Sequence, residues 1–291
     1  VGLHVVLKLN PTLLGRTQLT EILHELLGYR DLSVPAAAFE KDATWEQVMG
    51  FVNRLGALAQ TLGRGFGVKF SNTLLVDNYK SFFPASEKQM YLSGPPLHVL
   101  AMLLVRRFRQ IFGDRFPISF SGGIDAGNFA DAVALGLQPV SVCSDMLKSG
   151  AYSGYARGAR YLVNLGKRMK AVNAVNIDQF VIKAYGHAQA ALDGLALPAE
   201  RASACRAALA QGGDLRAAAG DAFAAWVSAA RLRNTESYVE RMLADPRYAA
   251  AHNATPPKKM GTRLTLFDCL TCDKCIPVCP NDANFVLTIP K

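Results

Sequence analysis

The 291-residue sequence has no apolar run approaching the roughly 20 residues that span a bilayer. Its richest apolar stretch, residues 97–105, already contains His98 and runs into Arg106 and Arg107, so no membrane span is expected. Tryptophan is scarce, and the five histidines stand at no spacing that a metal site uses; each is expected to pack or to face solvent. Basic residues do not interleave with aromatic ones, and no nucleic-acid module is visible. The net charge of +9 therefore suits an acidic partner domain or phosphate groups better than nucleic acid. Nothing suggests an oxidising compartment, so free thiols in a cytoplasmic setting are expected, not a disulfide framework. The chain opens on Val1 and not on Met, and we expect an interior fragment of a longer protein.

Only six cysteines are present, and four of them crowd together near the C-terminus: Cys269, Cys272, Cys275 and Cys279, with Pro280 next. The spacing C-x2-C-x2-C-x3-C-P is the ligand run of a bacterial ferredoxin-type [4Fe–4S] cluster. Two-residue gaps let one tight loop aim three sulfurs inward, and the longer gap swings the fourth away. Either Cys279 closes a single cluster, or it serves a second cluster whose other ligands lie beyond Lys291. Zinc fits less well, because zinc ribbons separate two CxxC knuckles by a longer stretch. Of the other two, Cys205 lies in an Ala-rich helical stretch and is expected to behave as a small buried hydrophobe.

Residues 3–9, 66–72, 117–121 and 139–143 are short apolar runs that predict strands, with a further short strand at 32–34. Helical spacing predicts helices over 17–27, 44–62, 96–112, 127–135 and 152–169. Thr17 is placed to cap the first helix and Gly28 to stop it; the second helix begins at Thr44, with Trp45 to anchor it to the core, and Arg106, Arg107 and Arg109 form a solvated face of the third. Strand–helix alternation of this kind builds a parallel sheet covered by helices. The expected fold is α/β, the C-terminal part of a (β/α)8 TIM-type barrel, with about three strands preceding Val1. Alanine becomes dense after residue 170, and Pro256–Pro257–Lys258–Lys259 marks a linker. The expected domains are a barrel portion over 1–168, a helical segment over 169–258, and a truncated ferredoxin-type iron–sulfur segment over 259–291.

In such folds ligands bind at the carboxyl ends of the strands. Two of those ends are near copies: Lys8-Leu9-Asn10-Pro11-Thr12 and Lys69-Phe70-Ser71-Asn72-Thr73. A mid-strand lysine is costly to bury unpaired, so Lys8 and Lys69 are candidates to meet an anionic cofactor oxygen. Ser93 and Gly94 precede a helix that opens with two prolines, where glycine allows close backbone approach. Gly122 and Gly123 follow a strand and leave bare amides ahead of a helix, a candidate phosphate site. Cys143 and Ser144 end the neighbouring strand, the position that barrel enzymes use for phosphate beside strands 7 and 8. Asp125 is placed either to cap that loop by binding amides or only to face solvent.

These motifs together resemble a known family. Ser-Gly-Gly-Ile-Asp at 121–125, Val-Cys-Ser at 142–144, Lys-Leu-Asn-Pro-Thr at 8–12, Ser-Asn-Thr at 71–73 and Leu-Ser-Gly at 92–94 resemble the flavin barrel of dihydroorotate and dihydropyrimidine dehydrogenases. Residues 39–42, 67–73, 142–147 and 272–285 are closer still to the large iron–sulfur subunit family called "putative selenate reductase". The resemblance covers most of 1–165 and 262–287. It implies FMN in the barrel mouth, clusters that relay electrons, and an NAD(P)H/FAD module elsewhere in the same longer chain or complex. By position it implies that Gly122, Gly123 and Ser144 hold the FMN phosphate, with Cys143 beside them, and that Ser93 and Gly94 lie near the flavin. Lys8 or Lys69 would contact its ring or ribityl chain, and Asn72 or Asn10 would face a small substrate. The family's acid/base residue has no counterpart here, so the catalytic residue is left unassigned.

Two functional readings follow. One is an iron–sulfur flavoprotein oxidoreductase that passes electrons between a [4Fe–4S] cluster and a flavin acting on a small substrate, heterocycles being the class the resemblance suggests. The other is a catalytically silent barrel that docks and relays electrons within a larger NAD(P)H-dependent reductase.

Overall fold

A computed structural model describes residues 2–79, 86–147 and 151–254, with the backbone alone at residues 144, 147 and 151–155. The cysteine run and the predicted segment 259–291 lie outside the described residues. The chain divides into two compact units, Val1–Thr255 and Pro256–Lys291, and the described residues belong to the first.

The first strand, β1 (Val5–Leu9), ends at Asn10, and Pro11 opens a single 3-10 turn. Helix α1 (Arg16–Glu21) starts after Gly15, so Thr17, expected as its cap, lies inside it; the helix continues through one π turn, Ile22–Leu26, and Gly28 at φ 74° ends it. The strand expected at 32–34 does not form. Leu32 is buried, but the segment is irregular chain, tied by the Asp77 amide donating to the Ser33 carbonyl at 2.9 Å. Its apolar side chains pack a loop and enter no ladder. After the short α2 (Ala36–Lys41), helix α3 (Trp45–Thr61) starts from a complete capping box. The Thr44 hydroxyl accepts from the Gln47 amide at 3.3 Å, and the Gln47 side chain accepts from the Thr44 amide at 2.9 Å.

Strand β2 (Phe66–Phe70) is followed by an antiparallel hairpin that the sequence reading did not contain, β3 (Leu74–Asp77) with β4 (Gln89–Leu92). Then come α4 (Pro95–Phe112), β5 (Ile118–Ser121), α5 (Phe129–Ala134), β6 (Val140–Ser141), α6 (Ser144–Leu147) and α7 (Ala151–Ala171). Four strands pair in parallel in the order β1-β2-β5-β6, as in part of a TIM barrel.

Side-chain alternation gives this sheet two unlike faces. Val68, Phe70, Ile118 and Phe120 point toward the helices and are buried; Phe70 meets Phe108 of α4 edge to face at 5.6 Å. The register pairs Lys8 with Lys69, Lys69 with Ser119, and Ser121 with Ser141, so one polar row crosses the other face. Burying the first face is what fixes the register, because a one-residue slip would drive the lysines into the core.

Helix α4 is buried almost all round. Arg109, expected on a solvated face, is 5% exposed and donates to the Leu135 carbonyl at 2.8 Å, to Thr235, and to Asp114 at 3.4 Å. The helical segment supplies this second wall. It comprises α8 (Ile177–Lys183), α9 (Ala188–Asp193), α10 (Ala199–Gln211), α11 (Leu215–Ala219) and α12 (Phe223–Leu243). Trp226 and Cys205 are fully buried there, and Trp226 Nε1 donates to the Ala188 carbonyl at 2.8 Å. Helix α12 spans two cores: Trp226, Val227 and Ala230 pack among the helices, while Tyr238, Val239 and Met242 join the core behind the sheet. No helix among the described residues is long and apolar enough to cross a membrane.

Candidate functional site

The carboxyl ends of β2, β5 and β6 and the loop that opens α4 converge. Between them lies a cavity of about 230 Å³ whose wall includes Thr73, Ser93, Gly94, Gly122, Gly123 and Cys143. Five of the predicted cofactor residues are thus brought together. Ser144 begins α6 directly after Cys143. Gly123 has φ 53°, and a Cβ there would lie 2.4 Å from the Gly94 carbonyl oxygen, so the two loops can touch only because this residue is glycine. Among the described residues, no hydrogen bond takes the amides of Gly123 and Ile124. Amides further along the loop are occupied: the Asp125 amide donates to Asn128 Oδ1 at 2.9 Å, and the Gly127 amide to Asp125 Oδ1 at 2.7 Å. Asp125 does cap the loop, and it also binds Arg247 at 2.7 Å.

The lysines are placed differently from each other. Lys69 is half-buried on β2, and its Nζ donates to Ser141 Oγ in the cavity wall at 3.0 Å. Burial, and then the neighbouring Lys8 charge, lowers its pKa. Lys8 is exposed and borders a separate hollow with Asn10, Thr12 and Asp42. Asn10 and Asn72 line yet another cavity of about 230 Å³, which shares Thr73 with the first. Asp42 organises that second space: Asn10 Nδ2 donates to it at 3.0 Å, and so does the Thr12 hydroxyl.

Two carboxylates that the sequence reading did not place at the site as ligands, Asp125 and Asp145, border the first cavity. Asp145 accepts from the Tyr161 hydroxyl and from Arg157 Nη1 at 3.3 Å. Burial, followed by that hydrogen bond, pushes the Tyr161 hydroxyl up. His98, expected only to pack or face solvent, is fully buried directly behind the glycine loop. Its Nδ1 lies 2.8 Å from the Gly122 carbonyl oxygen and its Nε2 2.6 Å from the Tyr238 hydroxyl. Among the described residues, no cluster of three or more His, Cys, Asp or Glu could hold a metal ion.

The sequence profile of the family described as "Oxidoreductase YgfK, N-terminal TIM-barrel domain" matches residues 1–192. The chain belongs to this family. Two relatives, both named "Putative oxidoreductase YgfK", come from Escherichia coli strain K12 and from Escherichia coli O157:H7. Each is 36% identical over 151 residues, which is 52% of this chain and 14% of the relative's own length. The chain therefore corresponds to a small part of these YgfK proteins. No solved structure matches.

Proposed function

We propose that this chain is part of an oxidoreductase, as its YgfK relatives are named, and that the strand-end cavity binds FMN, as in a dihydropyrimidine dehydrogenase-like barrel. The supporting observation is the convergence of Gly94, the Gly122–Gly123 loop and Cys143 on one cavity, whose lining residues Gly123 and Ile124 have amides without a partner among the described residues. Gly123, Ile124 and Ser144 would take the phosphate, Ser93 and Gly94 would lie along the flavin, and Lys69 would approach it from the polar face of the sheet. Asn72 and Asn10, on the adjoining cavity, would face a small substrate, with heterocycles the class that the dehydrogenase resemblance suggests. At about 230 Å³ the cavity is smaller than the ~300–1,000 Å³ of sites that enclose a whole drug-sized ligand, and suits the phosphate and ribityl end.

Bound FMN would supply the exchange of a two-electron hydride for single electrons. The cysteines at 269, 272, 275 and 279 would hold a [4Fe–4S] cluster, the single-electron carrier. An NAD(P)H/FAD module in the longer protein or its complex would complete the route, and the selenate reductase subunit remains the family likeness for that arrangement.

The test is the flavin content of the intact protein, released without proteolysis and quantified as FMN per chain. A protein holding clusters and FAD but no FMN would end the catalytic reading of this barrel. One observation favours the alternative of a silent docking and relay barrel: carboxylates of Asp125 and Asp145 border the phosphate end and engage Arg247 and Arg157, cations that would otherwise be free to meet a phosphate. The same measurement separates the two.

A further inference from the structure

We propose that His98, Tyr238 and Tyr248 are positioning residues that set the direction of the Gly122–Ile124 amides, so that the helical segment governs anion binding at the strand ends. The inference rests on reading the cavity as a phosphate site. It begins with His98 Nδ1, 2.8 Å from the Gly122 carbonyl oxygen. A carbonyl can only accept, so Nδ1 must carry the proton. The imidazole is buried and neutral, since desolvation lowers its pKa to about 4. A neutral ring with its proton on Nδ1 leaves Nε2 as an acceptor, and the Tyr238 hydroxyl, 2.6 Å away, must donate to it.

The remaining protons then follow one direction. Having donated to His98, the Tyr238 oxygen can accept from the Tyr248 hydroxyl at 3.2 Å. The Tyr248 oxygen in turn faces Asn128 Nδ2 at 3.5 Å. Asn128 cannot be flipped, because its Oδ1 accepts the Asp125 amide at 2.9 Å while its Nδ2 donates to the Gly123 carbonyl at 2.9 Å. Two contacts hold Tyr248 in place: its ring stacks on His98 at 5.3 Å, and the Arg247 guanidinium lies over it at 4.9 Å.

Both glycine carbonyls are thereby drawn into the protein, Gly122 by His98 and Gly123 by Asn128. The peptide bonds that follow them are trans, so the N–H of Gly123 and the N–H of Ile124 point the opposite way from those carbonyls. These are the amides without a partner among the described residues, in the two residues that line the cavity. The loop is thus polarised from behind, with acceptors turned inward and donors turned out. Two of the groups that do this, Tyr238 and Tyr248, lie beyond residues 1–192 that the family profile covers.

The test compares FMN with riboflavin, which lacks only the phosphate, on the full-length protein stripped of flavin and retitrated. The readout is the ratio of the two dissociation constants. Tyr238→Phe deletes one oxygen, leaves Nε2 without a donor, and should lower the preference for FMN about tenfold, the worth of one well-placed hydrogen bond. His98→Phe should lower it at least as far. His98→Asn, which retains a donor where Nδ1 stands, should keep most of the preference. Tyr238→Phe carries the test if His98→Phe fails to fold. Variants that keep the wild-type preference overturn the positioning role and leave the cavity reading standing. A wild type that binds FMN no better than riboflavin overturns both.

Discussion

Replacing Gly123 by alanine tests whether the contact between the two loops is as tight as the structure shows. The residue has φ 53°, where an L side chain costs about 1–2 kcal/mol. Strain of that size alone is common, and Gly212 provides the control: it has φ 72°, and a Cβ there would find nothing within 4 Å. Gly212→Ala should therefore show only the backbone cost. At Gly123 the new methyl would lie 2.4 Å from the Gly94 carbonyl oxygen and 2.9 Å from His98 Cβ. Neither neighbour is a flexible tip, so the loop must shift by several tenths of an ångström. That shift loosens the bonds holding the Gly122 and Gly123 carbonyls, each worth about 1 kcal/mol. The total is about 3 kcal/mol, roughly twice the control. Urea unfolding followed by fluorescence of the buried Trp45 and Trp226 measures both variants. Equal shifts of the midpoint would refute the loop contact.

Other outcomes follow from the same packing. Arg109→Met leaves the buried Leu135 carbonyl and the Thr235 hydroxyl without their donor, while Asp114 keeps Arg231 at 2.8 Å, and should cost about 2 kcal/mol in the same unfolding assay; a shift within error would mean that these groups find other partners. His98 titrates near 4 in the folded chain against an ordinary 6.5, so the unfolded chain binds a proton in that window that the folded chain refuses. Stability should be intact above pH 6.5 and fall by roughly 3 kcal/mol toward pH 4, and His98→Asn should abolish that part of the slope; parallel pH curves would contradict it. Thr44→Ala removes the capping box of α3 and should cost about 1 kcal/mol, read by thermal unfolding. Serine at Cys272 and Cys275 should remove iron and acid-labile sulfide from protein purified without oxygen; zinc in place of iron, or unchanged metal, would rule out the cluster.

The parts of the fold legible in the sequence were those set by local chemistry. Thr44 marked a helix start, though its capping box with Gln47 went unread, and the prolines at 95 and 96 marked another, because such signals act within one turn. The parallel strands were visible as apolar runs, although β6 shortened to Val140–Ser141. What escaped depended on distant partners. Arg109 looked solvated because its neighbours Arg106 and Arg107 are charged, while Thr235 and Leu135, which satisfy it, lie far along the chain. Residues 32–34 looked like a strand because burial alone resembles one when no pairing partner can be seen. The β3–β4 hairpin escaped because residues 78–88 join its strands, a connection far longer than the tight turn that announces a hairpin. The glycine loop and its cavity were readable from Gly122, Gly123 and Cys143, but His98 was not, since nothing local distinguishes a packing histidine from one that orients a carbonyl.

The double allegiance of α12 bears on how the molecule can be divided. A shortened polypeptide ending at residue 192, where the family profile stops, would lack Trp226, Thr235, Tyr238 and Tyr248. Water would then reach the imidazole of His98 and the guanidinium of Arg109 from a side that is now sealed. Anyone trimming this region should place the cut after Tyr248, or the excised piece will expose groups that the intact fold buries.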